Sequence, residues 1–152
     1  MIVRYATKED TLHVVRALQN KKMEYNTTAD AKNDIALNRL VVAVENGKIL
    51  GSVAIVYKAH RGYYAIMRGC VYSKRSKGKG VMSALIDFVL ALNLGTYGAT
   101  PWNDNPAMIH IFVKRGFEYQ YNFKKNYDFY KKKCLTRPGN CAIIKTERKK
   151  RR

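Results

Sequence analysis

The sequence predicts an α/β chain of the α+β kind, built on a mixed, mostly antiparallel sheet with flanking helices. Three observations lead there. Two turn signals, Asn46-Gly47 and Arg61-Gly62, separate consecutive strand-like runs. Apolar residues at 81, 82, 85, 88, 89 and 92 keep helical spacing directly after a glycine-containing loop. The chain as a whole reads in the order βααβββαβαββ, which excludes a purely helical or purely stranded architecture.

Each element has a local reason. Ile2 to Ala6 reads as a first strand. Thr7 and Asp10 resemble a capping box and open a helix through Leu12, Val15 and Leu18. Asn20 to Asn26 is polar and loop-like, and Thr28 to Leu37 reads as a second short helix. Leu40 to Glu45 (LVVAVE) is a strand, Asn46-Gly47 turns the chain, and Ile49 to Tyr57 returns. Tyr63 to Tyr72 is a further strand, Ser73 to Gly80 a basic loop, and Val81 to Leu94 a helix that Gly95 ends as a C-cap. Thr96 to Trp102 is strand-like. Pro106 to Lys114 is helical, with Pro at an allowed first-turn position, and Gly116 terminates it. Phe117 to Phe123 and Tyr127 to Lys131 alternate aromatic and polar residues, as paired strands do. From Cys134 onward there is no periodicity. The expected organisation is one domain over 1–133 and a basic, partly disordered extension over 134–152.

Composition bounds the function. A chain of 152 residues suits one domain and can bury about two thirds of its unfolded surface, so it needs no metal or disulfide staple. With 47% hydrophobic and 26% charged residues it is not a disordered chain. Val81 to Leu94 is short for a bilayer span and contains Asp87. MIVRYATKED has no apolar signal core, so a cytoplasmic location is expected. Cys70, Cys134 and Cys141 lack C-x-x-C spacing and read as free thiols in a reducing compartment, with no metal site. Cys70 reads most simply as a small core residue.

Charge is the unusual quantity. The net charge is +18, and it is still +13 without residues 145–152, KTERKKRR. Such a field attracts nucleic acid, acidic proteins or other polyanions, although a solvated basic face gives the same count. The basic end reads either as a nucleic-acid-contacting or nuclear-targeting patch or as a solubilising tail.

The segment CVYSKRSKGKG, residues 70–80, carries the chemistry. A strand runs into Arg75-Ser76-Lys77-Gly78-Lys79-Gly80, and a helix follows at once. Amides at a helix N-terminus point outward unsatisfied, the helix dipole is positive there, and glycine lets backbone approach an anion closely. Lys74, Arg75, Lys77 and Lys79 add charge. The spacing fits neither a Walker A loop nor G-x-G-x-x-G. From physics alone the loop is a pyrophosphate cradle or a polar loop with a glycine cap.

A second segment, NDNPAMIHIFVKRGFEY over 103–119, sharpens the reading. The chain resembles the GNAT superfamily of acyl-CoA N-acyltransferases. The family's R/Q-x-x-G-x-G/A signature falls on Arg75, Gly78 and Gly80. Its second motif is similar to Asn105, Ala107 and Lys114-Arg115-Gly116-Phe117, and Tyr127-Asp128-Phe129-Tyr130-Lys131 resembles its last strand. The likeness covers about residues 1–133.

The resemblance implies a sheet splayed between strands 4 and 5, with acetyl-CoA as cosubstrate. Its pyrophosphate would meet the amides around Lys77, Gly78, Lys79 and Gly80, with Arg75 at the loop start. Cys70, Val71 and Tyr72 would lie along the pantetheine arm, and Asn105 would face the cofactor side. An acceptor amine, once deprotonated, attacks the thioester carbonyl, a backbone N–H holds the oxyanion, and an acid protonates the leaving thiolate.

Two departures from the family pattern matter. The second-motif Tyr that protonates the thiolate in many relatives is replaced by Phe112, which has no proton to give. Tyr127 and Tyr130 are the substitutes, unless both are sheet packing. Strand 63–72 also carries no carboxylate base. Asp104 is the candidate base, or else a cap for the helix that follows. His110 and His60 are further candidates, or ordinary surface histidines. Two classes of function follow. One is an acetyl-CoA-dependent N-acetyltransferase whose acceptor amine sits on a modified nucleobase, a nucleic-acid-associated protein or an acidic protein. The other is a catalytically weak protein of the same fold that binds coenzyme A or nucleic acid through its basic surface.

Overall fold

The computed structural model describes residues 1–19 and 27–133. The expected loop over 20–26, Cys134, Cys141 and the basic extension over 134–152 lie outside the described residues. The elements follow the predicted order: β1 (Ile2–Tyr5), α1 (Thr11–Gln19), α2 (Thr27–Ala36), β2 (Leu40–Glu45), β3 (Lys48–Lys58), β4 (Tyr63–Val71), α3 (Val81–Ala91), β5 (Tyr97–Ala99), α4 (Pro106–Lys114), β6 (Glu118–Lys124) and β7 (Tyr127–Lys132). The strands form a seven-stranded mixed sheet in the order β1-β2-β3-β4-β5-β7-β6. β4–β5 is a parallel pair, while β1–β2, β2–β3, β5–β7 and β6–β7 are antiparallel. The fold is the predicted α+β class. β4 meets β5 over only three residue pairs, Tyr64–Tyr97 to Ile66–Ala99, and runs on to Val71 beyond them, as a splay at this pair requires.

The chain divides into two compact units, one of residues 1–55 and 67–89 and the other of 56–66 and 90 onward. In the first unit Val14, Val41, Val42, Val53, Leu85 and Ile86 are almost wholly removed from water. Each such aliphatic side chain contributes about 1.5–3 kcal/mol on burial. The Asn46-Gly47 turn forms as predicted, with both residues at positive φ (50° and 74°).

The predicted capping box is present, but it opens a 3-10 turn (Lys8–Asp10) that leads into α1. The Asp10 carboxylate accepts the Thr7 amide at 2.7 Å and the Thr7 hydroxyl at 3.2 Å, and Arg4 donates to both of its oxygens (2.7 and 3.1 Å). The Arg4 hydrogen bond above all, helped by the Thr7 amide, lowers the Asp10 pKa against the opposing effect of burial. A carboxylate depressed in the folded state adds stability above its unfolded pKa of about 3.9 and loses it as pH falls through the lower folded value. Asp10→Asn is therefore expected to reduce the acid dependence of the urea midpoint between pH 7 and pH 2. An unchanged dependence would refute this role.

Two predicted boundaries move. α3 stops at Ala91, not Leu94, because Asn93 takes the left-handed conformation (φ 52°) that the sequence reading assigned to Gly95. Its amide returns to the Leu90 carbonyl, and asparagine tolerates this region better than most residues. β5 covers only Tyr97–Ala99 of the expected Thr96–Trp102, since Pro101 has no amide to donate. Trp102 makes a single bridge to Tyr127 instead.

In the second unit α4 covers one sheet face. Phe112 packs edge-on against Phe117 at 4.9 Å, and Lys132 Nζ donates to the Arg115 carbonyl at the helix end. Side chains alternate along a strand, so Tyr130 shares this face with Lys132. Tyr127, Phe129 and Lys131 point to the other face. Two bulges in β6, around Gln120 and Phe123, set the register so that Tyr119 pairs with Tyr130 and Tyr121 with Phe129. Tyr119 and Tyr121 therefore lie on opposite faces.

On the face away from α4 an aromatic floor forms. Phe129 touches Tyr63 and Tyr121 (ring centroids 5.2 Å each), and Trp102 stands edge-on to Tyr127 at 5.1 Å. Gly98 makes room for it, since a Cβ there would lie 2.6 Å from the Tyr63 ring and 3.0 Å from Phe129.

Candidate active site

The basic loop is preceded by the end of β4 and followed by α3. Ser73 opens a 3-10 turn over Lys74–Ser76, accepting the Ser76 amide on its hydroxyl at 3.3 Å and sharing a 2.9 Å hydroxyl–hydroxyl contact with Ser76. Ser76 is buried, so the turn anchors the loop, while Lys74, Arg75, Lys77 and Lys79 are exposed. Gly78 and Gly80 both adopt positive φ (78° and 76°), and open space lies beside each where a side chain would be. This is the conformation and the clearance that an anion cradle requires. The amides of Lys77 and Lys79 are partly used inside the loop, donating to Lys74 and Ser76 carbonyls at 3.3 and 3.4 Å. Of the four expected amide donors, those of Gly78 and Gly80 are the two not engaged in these loop bonds.

The strand end is held by a contact that sequence reading missed. The Tyr72 hydroxyl donates to Ser52 Oγ on β3 at 2.6 Å, and the Tyr72 amide donates to the Leu50 carbonyl. Burial raises the Tyr72 phenol well above its ordinary pKa, so it stays protonated and remains a donor. Cys70 is half-buried, not a core residue. Its backbone approaches β3 closely at Gly51, where a Cβ would lie 2.7 Å from the Cys70 carbonyl. Val71 is half-buried beside it.

A buried charge cluster also escaped the sequence. Asp34 on α2 has 1% exposure and accepts from Arg68 Nε at 3.0 Å, Arg68 Nη2 at 2.6 Å and Arg39 Nη2 at 2.9 Å. Arg68 sits inside β4 with φ 53°, a conformation that costs a non-glycine residue about 1–2 kcal/mol. The only sequence signal was an aspartate in an otherwise ordinary helix, and its partner lies 34 residues away.

The second unit holds the remaining candidates. Asn105 is the N-cap of α4, accepting the Met108 amide on Oδ1 at 3.2 Å. The capping role open to Asp104 belongs to its neighbour, and Asp104 is exposed. Backbone bonds from Asn103 to the Asn126 carbonyl (2.9 Å) and from Asp128 to the Pro101 carbonyl (3.4 Å) tie the 101–104 segment to the start of β7. Asp104 and half-buried Tyr127 thus belong to one corner. Tyr130 does not join them: it is 7% exposed on the α4 face, against Tyr119 at 5.8 Å. Burial first, then Asp128 and Tyr119, raises its phenol pKa. His110 is exposed on α4 and His60 is exposed between β3 and β4. Phe112 is 2% exposed. Among the described residues no group of three or more His, Cys, Asp or Glu could hold a metal ion, and no helix is long and apolar enough to cross a membrane.

Residues 9–117 match the family model described as the acetyltransferase (GNAT) family. The chain belongs to the GNAT acetyltransferase family. Known GNAT structures share its fold. One is a GNAT-family acetyltransferase from Bacillus cereus, with TM-score 0.75 and 17% identity, covering 89% of this chain and 98% of that one. A second is yncA from Salmonella typhimurium, solved with its cofactor acetyl-CoA, with TM-score 0.68 and 17% identity over 90% and 95% of the two chains. A third is the ribosomal-protein-S18-alanine N-acetyltransferase of Escherichia coli, with TM-score 0.71 and 12% identity over 90% and 95%. Among curated proteins none matches the sequence. The GNAT signature positions Arg75, Gly78 and Gly80 all fall in the loop just described.

Proposed function

We propose that the protein is an acetyl-CoA-dependent N-acetyltransferase acting on a primary amine. The observation that carries this reading is the loop of a GNAT-family chain in which both signature glycines hold positive φ beside open space, framed by exposed lysines. Gly78, Gly80 and the first amides of α3 fit the pyrophosphate, and Arg75, Lys77 and Lys79 add countercharge. The cosubstrate supplies an activated acyl thioester. On the protein's side, an acceptor amine has to shed a proton, and exposed Asp104 is the carboxylate we assign to take it, directly or through water. Tyr127 is favoured over Tyr130 as the group that returns a proton to the thiolate. Tyr130 is shut into the α4 face, where burial raises its phenol above the ordinary value, while Tyr127 is half-buried.

The charge of +18 favours an acceptor amine carried by a polyanion, such as a modified nucleobase or a lysine of an acidic protein. The cysteine pattern suits the cytoplasm. The buried Phe112 favours a second reading, in which a protein without the family's usual acid binds coenzyme A and transfers acetyl slowly.

Calorimetry of acetyl-CoA with the wild type and with Gly78→Asp tests the donor half. The variant is expected to lose at least tenfold in affinity, about 1.4 kcal/mol, since it puts a carboxylate into the cradle. Equal binding by the two, or none by the wild type, would remove the reading. Labelled acetyl transfer to nucleic-acid and protein acceptors then separates the enzyme from the weak binder.

A further inference from the structure

We infer that the aromatic floor on the sheet face away from α4 is a binding surface for single-stranded nucleic acid, with bases stacking on Tyr121 and Trp102. Neither ring is buried: Tyr121 is 43% exposed and Trp102 41%, on a face where Phe129 and Tyr63 form the support beneath. The floor is built into the backbone. Gly98 carries no side chain where any other residue would displace Tyr63, and the bulge at Gln120 turns Tyr121 toward this face. Cations rim it. Lys124 and Lys131 share the face by register, Lys125 is in the β6–β7 turn, and exposed Arg61 stands in the turn two residues before Tyr63. Two acids lie nearby: Glu118 shares the face and is paired in register with Lys131, and exposed Asp104 follows Trp102 by two residues.

This combination selects the occupant. Stacked aromatic rings beside cations that track a phosphate backbone are the physical basis of single-strand binding. A second copy of this chain, at +18, is repelled by the same rim, and so is any basic segment. A duplex buries its bases and offers no free ring to stack. The surface lies within the second unit and borders Tyr127, the proposed acid, through Trp102. Stacking on Tyr121 and Trp102 uses none of the residues of the basic loop, so oligonucleotide binding is read without acetyl-CoA and its failure is distinguishable from a failure of acetyl transfer.

The chain has one tryptophan, which makes Trp102 its own reporter. The full-length protein is titrated with oligo(dT) and oligo(rU), following Trp fluorescence and the anisotropy of labelled strands, with inorganic polyphosphate and poly-glutamate as base-free polyanions. The expected result is quenching of Trp102 by at least one oligonucleotide and by neither base-free polymer. Tyr121→Ala is expected to weaken that oligonucleotide about tenfold or more and leave polyphosphate unaffected, while Tyr121→Phe retains binding. Acetyl-CoA affinity of Tyr121→Ala serves as the fold control and is expected to match the wild type. Equal affinity for oligonucleotide and polyphosphate without quenching would overturn the inference. So would tighter binding of poly-glutamate that depends on Tyr121, or a duplex that binds as well as a single strand.

Discussion

Asp34→Ala is expected to lower folding stability by about 3–5 kcal/mol, measured as the urea unfolding free energy. The carboxylate has 1% exposure and is the shared acceptor of two guanidinium groups. Removing it leaves two positive charges facing each other with nothing between them. Arg39 is already imperfectly served, since its Nε is buried without a hydrogen-bond partner. The sharper test uses Arg68, which is held at φ 53°. Arg68→Gly removes the stranded charge and the cost of the left-handed conformation together. In the Asp34→Ala background it is expected to restore stability, although alone it destabilises by breaking the pair. Strict additivity of the two changes would show that the pair does not hold this point of β4.

Gly51→Ala is the second large effect, about 1–3 kcal/mol of destabilisation from a single methyl group. Its Cβ would lie 2.7 Å from the Cys70 carbonyl and 2.9 Å from Val81 Cγ1. The first is backbone that cannot swing aside, and the second opens α3. The methyl therefore pushes on both flanks of the basic loop, and acetyl-CoA affinity is expected to fall along with the thermal midpoint. Gly78→Ala is the contrast. Nothing lies within 4 Å of its Cβ, so only the backbone strain at φ 78° remains, about 1–2 kcal/mol. If Gly51→Ala proves as mild as an exposed surface substitution, the close β3–β4 approach is not a constraint on the loop.

The element order was legible because local signals set it. Asn46-Gly47, the helical spacing from Val81 and the Thr7/Asp10 box each act within a few residues. The basic loop and its two positive-φ glycines were legible for the same reason, since a strand, two glycines and a helix are adjacent in sequence. Long-range partners were not. Asp34 with Arg68, Tyr72 with Ser52 and Gly98 beneath Tyr63 depend on which strands lie side by side, and no residue-type pattern in one segment announces them. Boundaries failed where two local signals competed, as at Asn93 and Gly95. The alternative left open for Asp104 was similar: Asp and Asn both cap helices, and the Met108 amide bonded to Asn105 Oδ1 gives the cap to Asn105.

β6 is the last strand of the sheet order, and every one of its residues is exposed. A flat, aromatic-rich edge of seven residues would be an open template for another chain's backbone and a seed for fibrils. The two bulges interrupt its ladder twice, and lysine stands at its end and in the turn that follows. Removing the first bulge by deleting Gln120 is expected to give more thioflavin-positive aggregate than the wild type at equal concentration. The irregularity that aims Tyr121 is then also what keeps neighbouring molecules from zipping together.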